Sequence, residues 1–396
     1  MEDLPLFQYG GGERWRDPYP MYANLRSNYP ALHVQDGDFV VLSRLDDVLS
    51  ALLDPTTFSS AQGLTLDPNE RAATGLDSSA LPIVMLDPPE HTAFRRLLNR
   101  GFSPRRAEEL EPAIRTFTVN RLEDLQAQSE GDVIETLAKP LPSMVVAHYL
   151  GVPLVDRQQF DRWTDAIVAA NSTGGALSAS AAVGELVEYF LHLIEQRRND
   201  PGDDTLSDLL QLEREGHDVP ILQVLGYAFT MVAGGNDTAT GLLGGALQLL
   251  TENRDARQVL INEPSKIESS VDEFLRLVSP VQGLARTATT DLTIHGTSIR
   301  RGQKVLLLYA AANRDEEAFG QTAGDLDLDR SIQKMVGFGF GRHHCLGAAV
   351  ARLQARVVLE EVLERCPNFT VDASRGTFAE GAFVRRYTSL PFHFSE

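Results

Sequence analysis

Apolar residues recur every three or four positions along much of the chain, which is the spacing of amphipathic helices. Arg44 to Leu53 has this spacing and predicts a short helix. His91 to Phe102 predicts a second helix with one basic face, and Ser103-Pro104 has the cap and first-turn residues that begin another. The helical pattern dominates the chain from about Pro88 onward.

Short β segments interrupt the helices in two places. His33-Val34-Gln35 and Phe39 to Leu42 flank the turn Asp36-Gly37-Asp38 and predict a hairpin. Ala285 to Leu308 is a second strand region, built of short runs rich in Thr, Val and Leu. The pattern predicts a mainly α protein with a small β portion. Because the two β regions lie far apart in the sequence, we expect residues 1–396 to form one interlocked domain.

Pro220 to Leu250 predicts one long helix of about 31 residues, roughly 46 Å from end to end. Apolar residues cover nearly every side of it, which is typical of a helix buried in a large protein or a membrane. The run Gly234-Gly235-Asn236-Asp237-Thr238 interrupts its centre, and an ionised carboxylate there argues against a membrane span. Two explanations remain open: a kinked helix with a water-filled notch, and a groove in which Asp237 and Thr238 relay protons beside a flat ligand.

Composition and charge exclude several classes of protein. Of 396 residues, 43 % are apolar and 23 % are charged, which rules out a disordered or fibrous chain. The 36 basic and 55 acidic residues give a net charge of −19, which argues against nucleic-acid binding. We expect no signal peptide and no membrane insertion, because the first residues are not a basic and apolar leader and no apolar run reaches about 18 residues. Two cysteines cannot form a disulfide framework, which favours a cytoplasmic protein.

The segment Phe338 to Gly347 reads Phe-Gly-Phe-Gly-Arg-His-His-Cys-Leu-Gly and precedes a new helical pattern. Cys345 is therefore expected at a helix N-terminus, after a glycine-rich loop whose backbone can approach the sulfur, and both features favour a thiolate. Three interpretations remain open. Zinc would require more ligands than His343 and His344 add, and a nucleophilic thiol would require a base and an oxyanion hole. A haem-iron thiolate requires one Cys, a tight loop and cations for the propionates, which the segment supplies.

This segment resembles the haem-binding signature of the cytochrome P450 family, Phe-Gly-x-Gly-x-His-x-Cys-x-Gly, at every fixed position. By chance such a match would occur at roughly one in 10⁷ to 10⁸ sites. Other segments resemble motifs of the family in the expected order: Asp87-Pro88-Pro89-Glu90-His91 with Arg95, the Gly234–Thr238 run as the oxygen-activation motif, Glu273-Phe274-Leu275-Arg276 as the Glu-x-x-Arg pair, and Ala312-Asn313-Arg314-Asp315. The resemblance covers the chain from about Pro18 to Phe392. It points to soluble actinobacterial members, particularly a mycobacterial orphan subfamily that shares Pro142 to Gly151.

The resemblance implies the cytochrome P450 fold, a helical prism with a long central helix, and monooxygenase activity with haem b as cofactor. One atom of dioxygen would enter a hydrophobic small molecule, and the other would leave as water. Cys345 would be the axial thiolate of the iron. Thr238 would hydrogen-bond the oxygen species on the iron, and Asp237 would relay protons from solvent. Many bacterial members have Glu or His where Asp237 and Asn236 stand, which leaves the details of the relay open.

The resemblance also implies which residues bind the cofactor and the substrate. The residues expected to bind the propionates are His91, Arg95, Arg286 and His343. The other expected haem-binding residues are Phe338, Gly339, Cys345 and Gly347. Glu273 and Arg276 would form a structural pair. The expected pocket residues are Gly234, Gly235, Leu284, Phe383 and Val384, within the wider segments 62–84, 166–182, 230–234, 281–284 and 382–384. Gly174-Gly175 suggests a mobile lid.

Electrons would come from a separate ferredoxin and its NAD(P)H-dependent reductase, because 396 residues leave no room for a fused reductase. An acidic ferredoxin would dock on a locally basic surface. Its expected arginines are Arg96, Arg100, Arg105, Arg106, Arg342 and Arg352. Cys366 is expected to be a passive, buried or half-buried thiol.

Three alternatives to the monooxygenase are a peroxide-using haem-thiolate enzyme, a haem- or azole-binding protein without turnover, and a zinc or thiol hydrolase. The first two have no need of an acid and an alcohol on the central helix. Because Asp237 and Thr238 are both present, the sequence favours the monooxygenase.

Overall fold

The computed structural model of the protein describes most of the chain, namely residues 7–73, 81–99, 101–127, 131–173, 180–217, 219–381 and 383–394. Helices make up most of these residues and short strands form small sheets, which confirms the predicted mainly α class. Several expected features lie outside the described residues: Arg100, Gly174-Gly175, residue 382, part of the 62–84 segment and most side chains of the 166–182 segment.

The helices account for the bulk of the protein. Within the described ranges they are α1 (Tyr19–Asn28), α2 (Leu45–Leu53), α3 (Glu70–Ala73), α4 (Glu90–Leu98), α5 (Pro104–Glu108), α6 (Glu111–Gln126), α7 (Pro140–Tyr149), α8 (Arg157–Thr173), α9 (Ser180–Asn199), α10 (Thr205–Arg214), α11 (Ile221–Glu252), α12 (Arg254–Asn262), α13 (Lys266–Val278), α14 (Tyr309–Ala312), α15 (Glu316–Phe319) and α16 (Ala348–Arg365). Short 3₁₀ turns and one π turn join some of them, at Gly12–Trp15, Ile83–Met85, Ile134–Ala138, Leu154–Asp156 and Gly341–His343.

The strands are short. They are β1 (Ala31–Val34), β2 (Phe39–Leu42), β3 (Phe58–Ser59), β4 (Gly131–Asp132), β5 (Leu284–Ala288), β6 (Leu292–Ile294), β7 (Thr297–Ile299), β8 (Lys304–Leu307), β9 (Thr370–Val371), β10 (Thr377–Phe378), β11 (Tyr387–Ser389) and β12 (Pro391–His393). The largest sheet has the order β1-β2-β8-β5-β3, in which only β2 and β8 run parallel. The predicted hairpin is confirmed as β1 and β2, and the predicted second strand region contains β5 to β8.

The β2 strand is buried at all four positions, because it lies inside the sheet between β1 and β8. Its neighbour β8 comes from the far half of the chain and pairs with it in register from Phe39 with Lys304 to Leu42 with Leu307. Strands β1 and β2 of the first predicted region therefore share one sheet with β5 and β8 of the second, whereas β6 and β7 pair with each other.

Helix α11 passes through the middle of the fold and packs against α7, α8, α13 and α16. The sequence prediction of one long helix is confirmed: Pro220 is the N-cap, and the helix continues without a break through the Gly234–Thr238 run to Glu252. Because other helices cover it on several sides, its apolar residues are buried on more than one face.

Helix α4 is shorter than the sequence predicts. It ends at Leu98 and not at Phe102, because the backbone turns there: the N–H of Gly101 donates to the carbonyl of Leu98 at 3.1 Å. A side chain at Gly101 would lie 2.9 Å from the methyl group of Thr205, so the turn also brings α10 close. The next helix, α5, begins as predicted, with Ser103 Oγ accepting the backbone N–H of Arg106.

Candidate active site

The loop before α16 holds Cys345 in a tight, backbone-bonded turn. The N–H of Cys345 donates to the carbonyl of Phe338 at 2.8 Å. Gly339 and Gly341 have φ values of 65° and 66°, in the left-handed region that glycine adopts without strain. A Cβ at Gly341 would also lie 3.1 Å from the carbonyl oxygen of Leu52, so the loop rests directly on α2. The glycines of the motif therefore fix the path that delivers the cysteine.

Cys345 lies two residues before Gly347, the N-cap of α16, and so at the start of this helix as predicted. The protein atoms around Cys345 raise the pKa of its thiol. The residue nevertheless has exposed surface, so its side chain faces an open space. The backbone N–H of Gly347 and the charges of Arg95 and Arg352 act in the opposite direction on that pKa. These groups are the donors and cations that stabilise a thiolate.

Cys366 has a different environment. It is the C-cap of α16, is buried, and lies 3.8 Å from Nε2 of Gln126. Burial raises the pKa of its thiol to about 11. Helix C-termini present carbonyl oxygens, which disfavour a thiolate, so this cysteine fits the passive role that the sequence predicts.

Four cationic or neutral basic side chains gather beside the cysteine loop. The rings of His91 and His343 lie 4.1 Å apart, centre to centre. Arg95, one turn after His91 on α4, and Arg286 on β5 both act electrostatically on His343. The structure thus brings together the four residues that the sequence assigned to the haem propionates.

The cluster of His91, Arg95, Arg286 and His343 contains basic groups but no carboxylate of its own. Burial and the neighbouring Arg95 lower the pKa of His91 to about 4, and burial together with Arg286 and His91 lowers that of His343 to about 2. His91 is 2 % exposed, and neither of its ring nitrogens has a hydrogen-bond partner among the residues that the structure describes. Buried, unpaired donors beside two guanidinium groups form a site for anionic oxygens, so the cluster fits the two carboxylates of haem.

A serine-rich turn closes the same cluster from the other side. Ser60 Oγ lies 3.4 Å from Nε2 of His343, and the backbone N–H of Ser60 donates to Asp87 at 2.9 Å. Asp87 also accepts a hydrogen bond from Ser59 Oγ at 2.5 Å. The segment before α4 is therefore tied to the segment after α2 next to the histidines.

The two glycines in the middle of α11 differ in their surroundings. A Cβ at Gly234 would meet nothing within 4 Å, whereas one at Gly235 would lie 2.7 Å from Cγ2 of Val146 on α7. Only Gly234 therefore borders open space. The expectation that Gly235 also lines the pocket stays a prediction; in the structure its missing side chain lets α7 pack closely on α11.

Asp237 and Thr238 follow the glycines on the same helix. Thr238 Oγ1 donates to the carbonyl of Gly234 at 2.9 Å. Asp237 forms an ion pair with Arg386, and both side chains are nearly buried. Burial raises the pKa of Asp237 to about 6, although the charges of Arg386 and Lys139 act to lower it. An acid with a pKa near 6 exchanges protons readily near neutral pH.

Two of the expected pocket segments meet beside α11. Val281 forms a bridge with Val384, and the N–H of Gln282 donates to the carbonyl of Phe383 at 2.8 Å. Val384 is buried, and Leu284 and Phe383 are half-buried. Their placement next to each other agrees with a shared wall of one pocket.

The Glu-x-x-Arg pair lies inside α13 and is fully buried. Arg276 donates to Glu273 from Nε at 2.7 Å and from Nη2 at 2.8 Å. Arg276 Nη1 also donates to the carbonyl of Asn313, whose Oδ1 accepts the N–H of Val336 at 2.8 Å. The pair is therefore connected to the start of the cysteine loop through two hydrogen bonds.

Two residues at these sites were not predicted from the sequence. Arg330 is a second guanidinium on Glu273, with Nε at 3.2 Å from Oε1, and Arg386 is the partner of Asp237. The only local indication for Arg386 is its position beside Arg385 in a short apolar segment, and Arg330 stands in a polar turn without any periodic pattern.

The part of the chain that the structure describes has neither a candidate membrane span nor a candidate metal cluster. None of its helices is long and apolar enough to cross a membrane. None of its His, Cys, Asp and Glu side chains come together in groups of three or more that could hold a metal ion.

Comparison with known proteins gives consistent matches over nearly the whole chain. The sequence model of the family described as Cytochrome P450 matches residues 4–378. Cytochrome P450 130 of Mycobacterium tuberculosis is 51 % identical over 394 residues, which cover 98 % of this chain and 97 % of the relative. Vitamin D(3) 25-hydroxylase of Pseudonocardia autotrophica is 34 % identical over 389 residues, or 96 % of this chain and 94 % of the relative.

Solved structures match as well. CYP109E1 from Bacillus megaterium in complex with testosterone superposes with a TM-score of 0.87 at 30 % identity, covering 97 % of this chain and 99 % of that one. CYP268A2 of Mycobacterium marinum in complex with pseudoionone superposes with a TM-score of 0.84 at 27 % identity, covering 96 % of each chain. These matches confirm the fold that the sequence resemblance implies.

Proposed function

This chain belongs to the cytochrome P450 family of haem-thiolate monooxygenases, and we propose that it oxidises a hydrophobic small molecule with electrons from a separate ferredoxin. Haem, when bound, supplies reductive activation of dioxygen, in which one oxygen atom enters the substrate and the other becomes water. We also propose that the whole chain acts as one domain, since β8 pairs with strands from both halves of the sequence.

Cys345 is the residue that we assign to the iron, and its setting is the single observation that carries this assignment. Its thiol faces open space at the start of α16, within reach of the Gly347 N–H and in the field of Arg95 and Arg352. Cys366 is buried at the opposite end of the same helix, next to carbonyl oxygens. The two cysteines thus offer a matched comparison, because only the first can be approached by a flat cofactor.

His91, Arg95, Arg286 and His343 are the residues that we assign to the propionates. Arg286 is 4 % exposed, and its Nη1 donates to the neighbouring carbonyl of Ala285, which orients the guanidinium within the cluster. Buried guanidinium groups bind carboxylates in two-point geometry. The four side chains would hold the cofactor through its two carboxylates.

Asp237 and Thr238 are the residues that we assign to proton delivery. The raised pKa of Asp237, about 6, lets its carboxyl group take up and release protons near neutral pH. Thr238 donates its hydroxyl hydrogen to the carbonyl of Gly234, and the lone pairs of its oxygen remain free to accept a hydrogen bond. Gly234 keeps the adjacent space open for dioxygen and substrate.

A hydrophobic substrate is supported by the apolar residues of two expected pocket segments and by the known relatives. Phe383 and Val384 are apolar and pair with the segment 281–282, which leads into Leu284. The residues on either side of them, Pro280 and Arg385, lie against Gly241 of α11, one turn beyond Asp237. Relatives named above act on vitamin D(3) or were solved with testosterone or pseudoionone, all of which are hydrophobic. We propose that this chain takes molecules of the same general kind, and titration with testosterone and pseudoionone is the first screen, with a shift of the haem spin state as the readout.

An acidic ferredoxin is supported by exposed arginines near the cysteine loop, although the basic surface is smaller than the sequence predicts. Arg105, Arg106 and Arg352 are paired with carboxylates, which neutralise them. Arg96 and Arg342 are exposed, and no ion pair holds either of them within the described part of the chain. These two remain as the cations for an acidic partner.

Turnover with a surrogate acidic ferredoxin and its reductase tests this proposal. The variant with both Arg96→Glu and Arg342→Glu should raise the KM for ferredoxin and weaken its dependence on ionic strength, with the spin-state response to substrate unchanged. Arg105→Glu is the control, because that arginine is already paired with Glu109. Equal effects of the double variant and the control would contradict the docking surface, and absence of oxygenated product with any hydrophobic probe would contradict the substrate proposal.

A further inference from the structure

The ion pair between Asp237 and Arg386 joins α11 to the segment just before β11. The side chains are only 13 % and 11 % exposed, and Nε of Arg386 is paired with Oδ1 of Asp237. Nη1 of the same guanidinium lies 3.5 Å from the carbonyl of Tyr387, at the limit of a hydrogen bond. Asp237 is therefore the one close anionic partner of this guanidinium in the described part of the chain.

The fold holds the backbone around Arg386 in place on both sides. The N–H of Arg385 donates to the carbonyl of Pro280 at 2.7 Å, and the carbonyl of Arg386 accepts the N–H of Ala379 at 3.1 Å. A Cβ at Gly241, one turn beyond Asp237, would lie 2.7 Å from the carbonyl oxygen of Arg385 and 3.4 Å from Cβ of Arg386. The segment therefore lies directly on α11, and the guanidinium reaches the acid without extending through solvent.

Three charged groups from three different elements face Asp237. Arg386 comes from the segment before β11, Lys139 from the N-cap of α7, and Asp165 from α8. Lys139 and Asp165 form their own ion pair at 2.9 Å, and each is about half exposed. Arg386 is the buried member of the group and the one in contact with the acid, so it has the largest influence on the charge of Asp237.

We infer that Arg386 is a positioning residue for proton delivery. Its guanidinium contacts Oδ1 of Asp237 and favours the ionised carboxylate. Oδ2 is therefore the oxygen that receives a proton. The inference rests on the proposed function, in which Asp237 passes protons toward Thr238. Each transfer moves only a proton. The Oδ2–H bond forms with a proton from solvent and breaks when that proton moves on, which returns Asp237 to the carboxylate.

Replacement of Arg386 should change the pH range in which Asp237 is ionised. In Arg386→Gln the carboxylate keeps its burial but loses its nearest cation, and burial alone favours the protonated acid. We expect the midpoint of protonation to rise by at least one pH unit, a tenfold change in proton affinity. Arg386→Lys keeps the charge without the planar guanidinium and should give a smaller rise. Arg300→Gln, which removes a mostly exposed arginine paired with Asp38, is the control and should leave the midpoint unchanged.

Infrared difference spectroscopy of the haem-loaded protein measures this midpoint directly, because a protonated carboxyl group has its own C=O stretching band. The band assigned to Asp237 is the one that Asp237→Asn lacks. The readout needs no substrate and no electron donor. A second measurement follows the coupling of NADH oxidation to product as a function of pH, in the wild type and in the three arginine variants.

The outcomes separate this inference from the proposed function. A raised midpoint in Arg386→Gln, with a coupling profile that moves to higher pH by the same amount, supports the inference. An unchanged midpoint overturns it, whether or not the wild type turns over. A raised midpoint with an unchanged coupling profile overturns the role in proton delivery and leaves a purely structural ion pair. Failure of the proposed function itself appears separately, as a wild type that forms no product while its infrared titration is normal.

Discussion

Glu273→Gln tests whether the buried pair in α13 holds the core beneath the cysteine loop. Glu273 is 2 % exposed and Arg276 is fully buried. The carboxylate accepts from Arg276 at 2.7 and 2.8 Å, from Arg330 at 3.2 Å and from the N–H of Asp327 at 3.1 Å. Glutamine has the same size, but it is neutral, and its amide N–H₂ would face a guanidinium.

The variant leaves the buried guanidinium of Arg276 without its anion, and it leaves Arg330 with only the carboxylate of Asp327, at 3.8 Å. Breaking a buried ion pair by removing one partner costs about 3–5 kcal/mol, and a hydrogen bond to a charged group contributes about 1.5–3 kcal/mol. We therefore expect the free energy of unfolding to fall by about 3–5 kcal/mol, a large part of the ~5–15 kcal/mol of a typical protein. Because Arg276 is connected to Val336 through Asn313, haem should also be released faster.

Urea-induced unfolding of the haem-loaded protein, followed by circular dichroism, measures the first effect, and transfer of haem to an excess of apomyoglobin measures the second. Asp38→Asn is the matched control, since that carboxylate is exposed and its pair with Arg300 lies on the surface, where ion pairs contribute little. If Glu273→Gln unfolds at the same urea concentration as the control and loses haem at the wild-type rate, the reasoning about the buried pair is refuted.

Two further predictions concern the centre of α11. Thr238→Ala should keep haem and substrate binding but divert electrons to hydrogen peroxide, measured as the ratio of product to NADH consumed; an unchanged ratio would contradict the role assigned to the hydroxyl. Gly235→Ala should lower the free energy of unfolding by about 1–3 kcal/mol, because its methyl group would overlap Val146 at 2.7 Å. Gly234→Ala should raise it by about 1 kcal/mol through helix propensity and weaken the spin-state response to substrate. Thermal unfolding and substrate titration compare the Gly234→Ala and Gly235→Ala variants. Equal stability and equal substrate response in both would contradict the different surroundings assigned to the two glycines.

The parts of the fold that could be predicted from sequence are those that depend on neighbouring residues. The β1–β2 hairpin follows from strand-forming residues on either side of a turn, and the start of α5 follows from Ser103 and Pro104. Helix α11 follows from a long apolar run. The end of α4 was wrong by four residues, because the turn at Gly101 depends on the approach of α10, which no local pattern contains.

The residues of the candidate site also fall into those that could be predicted from sequence and those that could not. The cysteine loop with His343, and His91 with Arg95, could be assigned because each belongs to a contiguous motif, whereas Arg286 was assigned through the family resemblance alone. The partner of Asp237 and the second guanidinium on Glu273 could not, since Arg386 and Arg330 lie far along the chain and meet these acids only in the folded protein. The contact of Gly235 with Val146 could not be predicted either, because a helical glycine can border an open pocket or allow a close helix contact, and a single sequence does not distinguish the two.

The absorption spectrum of the reduced, carbon-monoxide-bound protein tests the central assignment most directly. The wild type and Cys366→Ala should both show the strongly red-shifted Soret band of a thiolate-bound haem iron, and Cys345→Ala should lose it. A red-shifted band that persists in Cys345→Ala, or that disappears in Cys366→Ala, would contradict the assignment of Cys345 as the ligand.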